Sequence, residues 1–196
     1  MEYKKYKRIC ILDTETTSVY WNSAAPVQIA AMIIDAEGKI LDQFEEKIKT
    51  THQIDPAASE VHGIYAKDLV NCRKERDVLT DFCVWLKSWD VDALLTYNGN
   101  AFDRPMLNCR CKKMDINFPY FDRDNFPGID AKDIVQKAKK QCLFKLDELG
   151  RKWKLTLVAG KLGFNTENAH DAFADVRMLR EVWLLLDRVV NKNDWN

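Results

Sequence analysis

RICILDTE, residues 8–15, is a run of β-branched and apolar side chains that stops on two acids. Such a run suits a buried strand that delivers Asp13 and Glu15 at its end. Side chains two apart on a strand share a face, so these carboxylates project together while Thr14 turns away. Working outward, VQIAAMIIDAEGKILDQFEEKIK (27–49) gives two strand-like runs about Ala36, Glu37, Gly38 and Lys39, a hairpin with Gly38 free to take a positive φ. From Thr50 to Ala66, Pro56, Gly63 and many small residues predict a long loop with a short helical turn. ERDVLTDFCVWLKSW (75–89) carries Val78, Leu79, Phe82, Val84, Trp85, Leu86 and Trp89 largely at helical spacing, and DALLTYN (92–98) reads as another buried strand.

Further along, Ala101 to Met114 predicts a helix, and NFPYFDRDNFPGID (117–130) is irregular, with residues 118–128 assigned no role. IDAKDIVQKAKK (129–140) reads as a short strand entering a helix, and FKLDELGRKW (144–153) as a helical piece. AHDAFADVRMLREVWLLLDRVV (169–190) is the clearest helix, with Val176, Leu179, Val182, Trp183, Leu186 and Val190 as its apolar stripe. Three strands, a helix, a strand and further helices predict an α/β fold. Its mixed sheet has antiparallel early strands and helices on both faces. No repeat or linker divides the chain, so residues 1–196 read as a single domain.

Thirty basic residues balance thirty acidic ones. A polyanion must therefore be held by a local patch or by metal ions rather than by the field of the whole protein. The six cysteines form no CxxC pair and face no histidine at zinc-finger spacing, as expected of free thiols in a reducing compartment. No apolar run approaches the roughly 18 residues of a membrane span. The start, MEYKKYKRICIL, does not read as a signal peptide, so the expected setting is cytoplasmic, or nuclear in a eukaryote.

Five residues carry candidate chemistry, and each has an ordinary explanation beside it. Asp13 and Glu15 fit hard divalent ions such as Mg²⁺ or Mn²⁺, or a solvated strand end. Asp103 follows a strand-end turn and opens a helix, so it is a ligand or a helix-terminal cap. His170 and Asp175 stand five apart, a spacing that forces no direct contact. They are a site pair, or a helix-end histidine and a surface acid beside the apolar Ala172, Phe173 and Val176.

Order and context together resemble the DEDDh (DnaQ-like) 3′–5′ exonuclease family of the ribonuclease H-like superfamily. The DTET of Asp13 to Thr16 matches its D-x-E motif, Asn98 to Asp103 (NGNAFD) its second, and His170 to Asp175 the third, H-x4-D. The resemblance spans about residues 8–185. The tyrosine branch requires Tyr at position 171, where this chain has Asp171, so the histidine branch is the match.

The resemblance implies a three-layer α/β/α fold with a mixed five-stranded sheet, and release of nucleoside 5′-monophosphates from nucleic-acid 3′ ends. Single-stranded DNA is favoured over RNA. A 3′–5′ exoribonuclease is the alternative, and a binding or polymerase-partner module without catalysis is the non-enzymatic one. It further implies two ions, Mg²⁺ or Mn²⁺, clamping the attacking and leaving oxygens. Asp13 bridges them, Glu15 and Asp175 complete the first site, Asp103 serves the second, and His170 takes the proton of the attacking water. Histidine, with an ordinary pKa of about 6.5, can do this near neutrality.

Substrate contacts are implied for Thr14, Thr16, His62 in the VHGI loop, Asn98 and Phe102. Core packing for Phe102, solvation for His62 and turn formation for Asn98 stay open. Ser18 stands where the family commonly has glycine, which implies a differently bent loop whose Tyr20 and Trp21 stack on bases or fill it. A polymerase or repair partner is also implied.

Overall fold

Alternation along β1 (Arg8–Thr16) divides the interior into two cores. Ile9 and Ile11 face one cluster, while Cys10 and Leu12 face the other. The computed structural model describes residues 6–167 and 169–190, so Met1 to Lys5 of the opening segment lie outside the described residues. β2 (Pro26–Asp35) repeats the division with Ala30, Met32 and Ile34 against Ile29, Ala31 and Ile33. A strand covered on both faces loses the polar alternation of a solvated one, and β2 is buried along nearly its whole length. β3 (Ile40–Lys49), nearer the edge, keeps that alternation. The hairpin turns as expected, with Gly38 at φ 86°.

The sheet order is β4-β3-β2-β1-β5-β6. β1, β2 and β3 run antiparallel, whereas β5 (Ala93–Thr96) and β6 (Gly128–Asp130) extend the sheet parallel to β1. The expected five strands become six because Arg73 and Lys74, as β4, pair with Ile48 and Lys49. Two residues are too few to carry a period. Helices α4 (Ala131–Lys140), α5 (Leu155–Lys161) and α6 (Ala172–Val190) pack on one face, and α2 (Glu75–Ser88) and α3 (Asp103–Lys113) on the other. All six residues of the expected α6 stripe are buried, each large one worth about 1.5–3 kcal/mol against exposure. α1 (Pro56–His62) is the short helical turn expected in the long loop; α5 has no counterpart in the sequence reading. Among the described residues no helix is long and apolar enough to cross a membrane. All six cysteines are free; Cys10, Cys83 and Cys111 are buried, whereas Cys142 is exposed.

Arg104 explains the segment that sequence alone left unassigned. It is 1% exposed, and its guanidinium donates to the carbonyls of Tyr120, Asp122 and Phe126 at 3.3, 3.0 and 2.7 Å, and to Asn100 Oδ1. Aromatic packing closes the loop, with Tyr120 stacked on Phe126 at 4.2 Å and Phe121 against Phe82. Gly128 is required where the chain passes this cation, because a Cβ there would overlap the guanidinium. Gly128→Ala is expected to cost about 1–3 kcal/mol, as overpacking does. Urea unfolding checks it, and an unchanged midpoint would refute the clamp.

Candidate active site

The carboxyl ends of the parallel strands β1, β5 and β6 open on one edge of the sheet, the usual place for sites in such folds. There β1 presents Asp13 and Glu15, and the first turn of α6 brings Asp175. Ligand oxygens of these three acids lie within 4.8 Å of one another. His170 precedes α6 in a left-handed conformation, φ 71°, and its amide donates to Asp175 Oδ1 at 3.4 Å. Asp13, His170 and Asp175 line one cleft of about 480 Å³.

Asp103 arrives from the opposite face of the sheet on the first turn of α3. It is 8% exposed, and the Thr14 hydroxyl donates to its Oδ1 at 2.5 Å. Thr14 thus turns away from the Asp13 and Glu15 face, as a strand demands, and its hydroxyl is committed to Asp103. Gly99 makes room for this approach, since a Cβ there would lie 2.7 Å from Asp103 Oδ2.

Burial and mutual repulsion raise the proton affinity of the whole group. Asp13 is held well above the usual carboxylate range, first by burial and then by Asp103, Asp175, Glu15 and Asp171. Burial, followed by Asp175, Asp103 and Asp171, pushes Glu15 up to about 8. Asp103 is pushed up to about 6 by burial, against the Thr14 hydrogen bond that favours its charged form. Asp175 is raised by burial, partly offset by the His170 amide. Clustered oxygen donors with this much repulsion fit a hard divalent cation, which would relieve it.

The remaining expected residues surround this group unequally. His62 lies at the end of α1, its Nδ1 accepting from Ile64 N at 3.0 Å and its Nε2 3.3 Å from the Thr16 carbonyl. These contacts fit a neutral ring protonated on Nε2, and burial lowers its pKa against the Thr16 contact, which raises it. The Thr16 hydroxyl donates to Ser18 O. Asn98, in a left-handed turn at φ 64°, lines the cleft; its backbone N–H donates to Asp130 Oδ1 and its side-chain Oδ1 accepts from Lys132 Nζ. Phe102 precedes α3 and packs against the second core. Tyr20 and Trp21 are exposed in the loop after β1.

Two supports were not foreseen. Buried Gln28 on β2 donates to Asp171 Oδ1 at 3.0 Å and accepts from Ala172 N, while Asp171 Oδ2 accepts from Ala174 N. Together they pin the turn that carries His170. A lone glutamine in an apolar strand gives no sequence signal. The cleft wall formed by Lys132, Arg151, Trp153 and Lys154 was also missed, because its residues belong to no motif.

A mixed sheet with helices on both faces, and acids gathered at the end of its central strand, is the ribonuclease H-like exonuclease arrangement. A family model described as Exonuclease, of the RNase T type, matches residues 10–183. The chain belongs to this family, the DnaQ-like DEDDh 3′–5′ exonucleases, whose members depend on divalent metal. Over 185 residues it is 28% identical to the PolC-type DNA polymerase III of Thermotoga maritima, covering 93% of this chain and 12% of that protein. DNA polymerase III subunit epsilon of Buchnera aphidicola is 27% identical over 204 residues, 97% of this chain and 81% of that one. The chain therefore spans about an eighth of the PolC-type relatives' length. Among solved structures, E. coli exonuclease I with a dT13 oligonucleotide is similar at TM-score 0.78 and 19% identity, over 95% of this chain and 43% of that one. A 3′-exonuclease recognising the histone mRNA stem-loop is similar at TM-score 0.70 and 16% identity, over 94% and 65%.

Proposed function

We propose that residues 1–196 form one exonuclease domain that removes nucleoside 5′-monophosphates from single-stranded DNA 3′ ends in a cytoplasmic setting. The observation carrying this reading is the convergence of Asp13, Glu15 and Asp175 within 4.8 Å, with His170 on the same cleft. Asp13, Glu15 and Asp175 would hold one Mg²⁺ or Mn²⁺, and Asp13 and Asp103 a second. Bound there, such ions neutralise charge at phosphorus and acidify bound water.

His170 takes the proton of the attacking water as its oxygen bonds to phosphorus, and the 3′ oxygen of the penultimate nucleotide leaves with the bonding electrons. The left-handed turn held by Gln28 and Asp171 keeps the imidazole on the cleft. Thr14 orients Asp103, while Thr16, His62, Asn98 and Phe102 position the terminal nucleotides. Preference for DNA draws on the DNA polymerase relatives, which also favour a polymerase partner.

Matched 3′-labelled DNA and RNA strands in a Mg²⁺ and Mn²⁺ series test the proposal. DNA is expected to release monophosphates faster. RNA cut preferentially would make the chain an exoribonuclease, and binding without turnover a non-catalytic module. His170→Ala is expected to lower kcat by about 100-fold or more, as loss of a general base does. Full activity in that variant would sink the assigned role.

A further inference from the structure

The phosphates of a substrate pose an electrostatic problem beside the acid cluster, because a chain of zero net charge supplies no field to attract them. One wall of the cleft answers it with Lys132, Arg151 and Lys154. Among the described residues none of the three is ion-paired. The Lys132 ammonium reaches only the neutral Asn98 Oδ1, at 2.9 Å, and the nearby Asp130 is engaged with the Asn98 and Lys132 amides. Arg151 and Lys154 are exposed.

The wall is also held in place. Tyr97 donates its hydroxyl to the Trp153 carbonyl, and Lys139 on α4 hydrogen-bonds Gly150 O while its ammonium lies 3.8 Å from the centre of the Trp153 ring. The segment bearing Arg151 and Lys154 is thereby fastened to the residue that follows β5 and to α4.

An exonuclease cuts the last linkage, so the terminal nucleotide brings only the scissile phosphate, which the carboxylate site already takes. Any further phosphate in the cleft belongs to the chain on the 5′ side. We propose that Lys132, Arg151 and Lys154 form a phosphate-binding edge that grips the single-stranded substrate 5′ of the scissile linkage. This inference rests on the exonuclease reading above. Arginine offers a fork to phosphate oxygens and the lysines act as point charges. Their grip is shared by all sequences and weakened by salt.

The test compares the wild type with K132Q/R151Q/K154Q and with K39Q/R76Q/K87Q, which loses equal charge outside the cleft. KM and kcat are measured on a 12-nucleotide DNA strand across a salt series. Wild-type hydrolysis of thymidine 5′-monophosphate p-nitrophenyl ester, which has no 5′ chain, reports the chemistry separately. The edge variant is expected to raise KM about tenfold or more with a much smaller change in kcat, and to flatten the slope of log KM against log salt by about two. The control variant is expected to change neither comparably. Wild type active on both substrates, with KM and salt slope unmoved in the edge variant, overturns this inference alone. Equal effects in both triple variants overturn it too. Wild type inert on both substrates overturns the exonuclease reading and this inference with it.

Discussion

Exchange of Asp13 for asparagine is expected to cut phosphodiester hydrolysis by about a thousandfold or more, and at the same time to raise the melting temperature of the metal-free protein. Both effects come from one position. Asp13 stands among Asp103, Asp175, Glu15 and Asp171, and these neighbours, after burial, set its raised proton affinity. Removing a carboxylate that neutralises a cation forfeits several kcal/mol of charge stabilisation in the transition state, and each ~1.4 kcal/mol is a factor of ten in rate. The amide has nearly the same shape and no charge to repel its neighbours, so the metal-free fold is relieved of repulsion while the reaction loses a ligand. Single-turnover hydrolysis with saturating Mn²⁺ and thermal melts in a chelator measure the two sides. A variant within tenfold of wild-type activity would remove Asp13 from the metal site, and a lower metal-free melting temperature would show that the acid cluster carries no strain.

The parts of this site that could be read from sequence are those fixed by local periodicity. Asp13 and Glu15 share a face because they are two apart on β1, and the hairpin after them follows from Gly38 and two alternating runs. The approach of Asp103 is different. It stands on a helix packed against the opposite core, and only the order of the motifs joined it to β1 before the Thr14 contact was visible. Gln28 was hidden for the same reason, since its three partners lie on β3 and at the start of α6. The segment 118–128 could not be read from its own residues because what organises it is Arg104, an arginine buried among backbone carbonyls, contrary to the usual placement of charge. Short elements such as β4 and α5 carry too few residues for a period to show. Long-range polar contacts, unlike apolar stripes, leave no pattern along the chain.

Divalent cation is expected to stabilise the protein far more at pH 8.5 than at pH 5.5, and its uptake to release protons. The sign follows from the direction of the shifts. An unfolded aspartate or glutamate titrates near 4, whereas in the fold Asp103 is pushed up to about 6, Glu15 up to about 8, and Asp13 and Asp175 are raised as well. Below about pH 4 both states are protonated and the cluster costs the fold nothing. As pH rises from there towards 8, the unfolded chain gives up protons that the native site retains. Stability therefore falls across this window, by an amount on the order of several kcal/mol. A cation reverses this by taking the protons' place, so its affinity climbs about tenfold per pH unit for each proton displaced. Thermal melts between pH 5.5 and 8.5, with chelator and with Mg²⁺ or Mn²⁺, give both trends, and calorimetry in buffers of different ionisation enthalpy counts the protons. Glu15→Gln isolates the cluster from the histidines, since the variant should lose much of the decline in metal-free stability and much of the metal-induced gain at high pH. A metal-induced shift equal at pH 5.5 and 8.5, or a Glu15→Gln profile parallel to that of the wild type, would show that these carboxylates do not act as one proton-linked cation site.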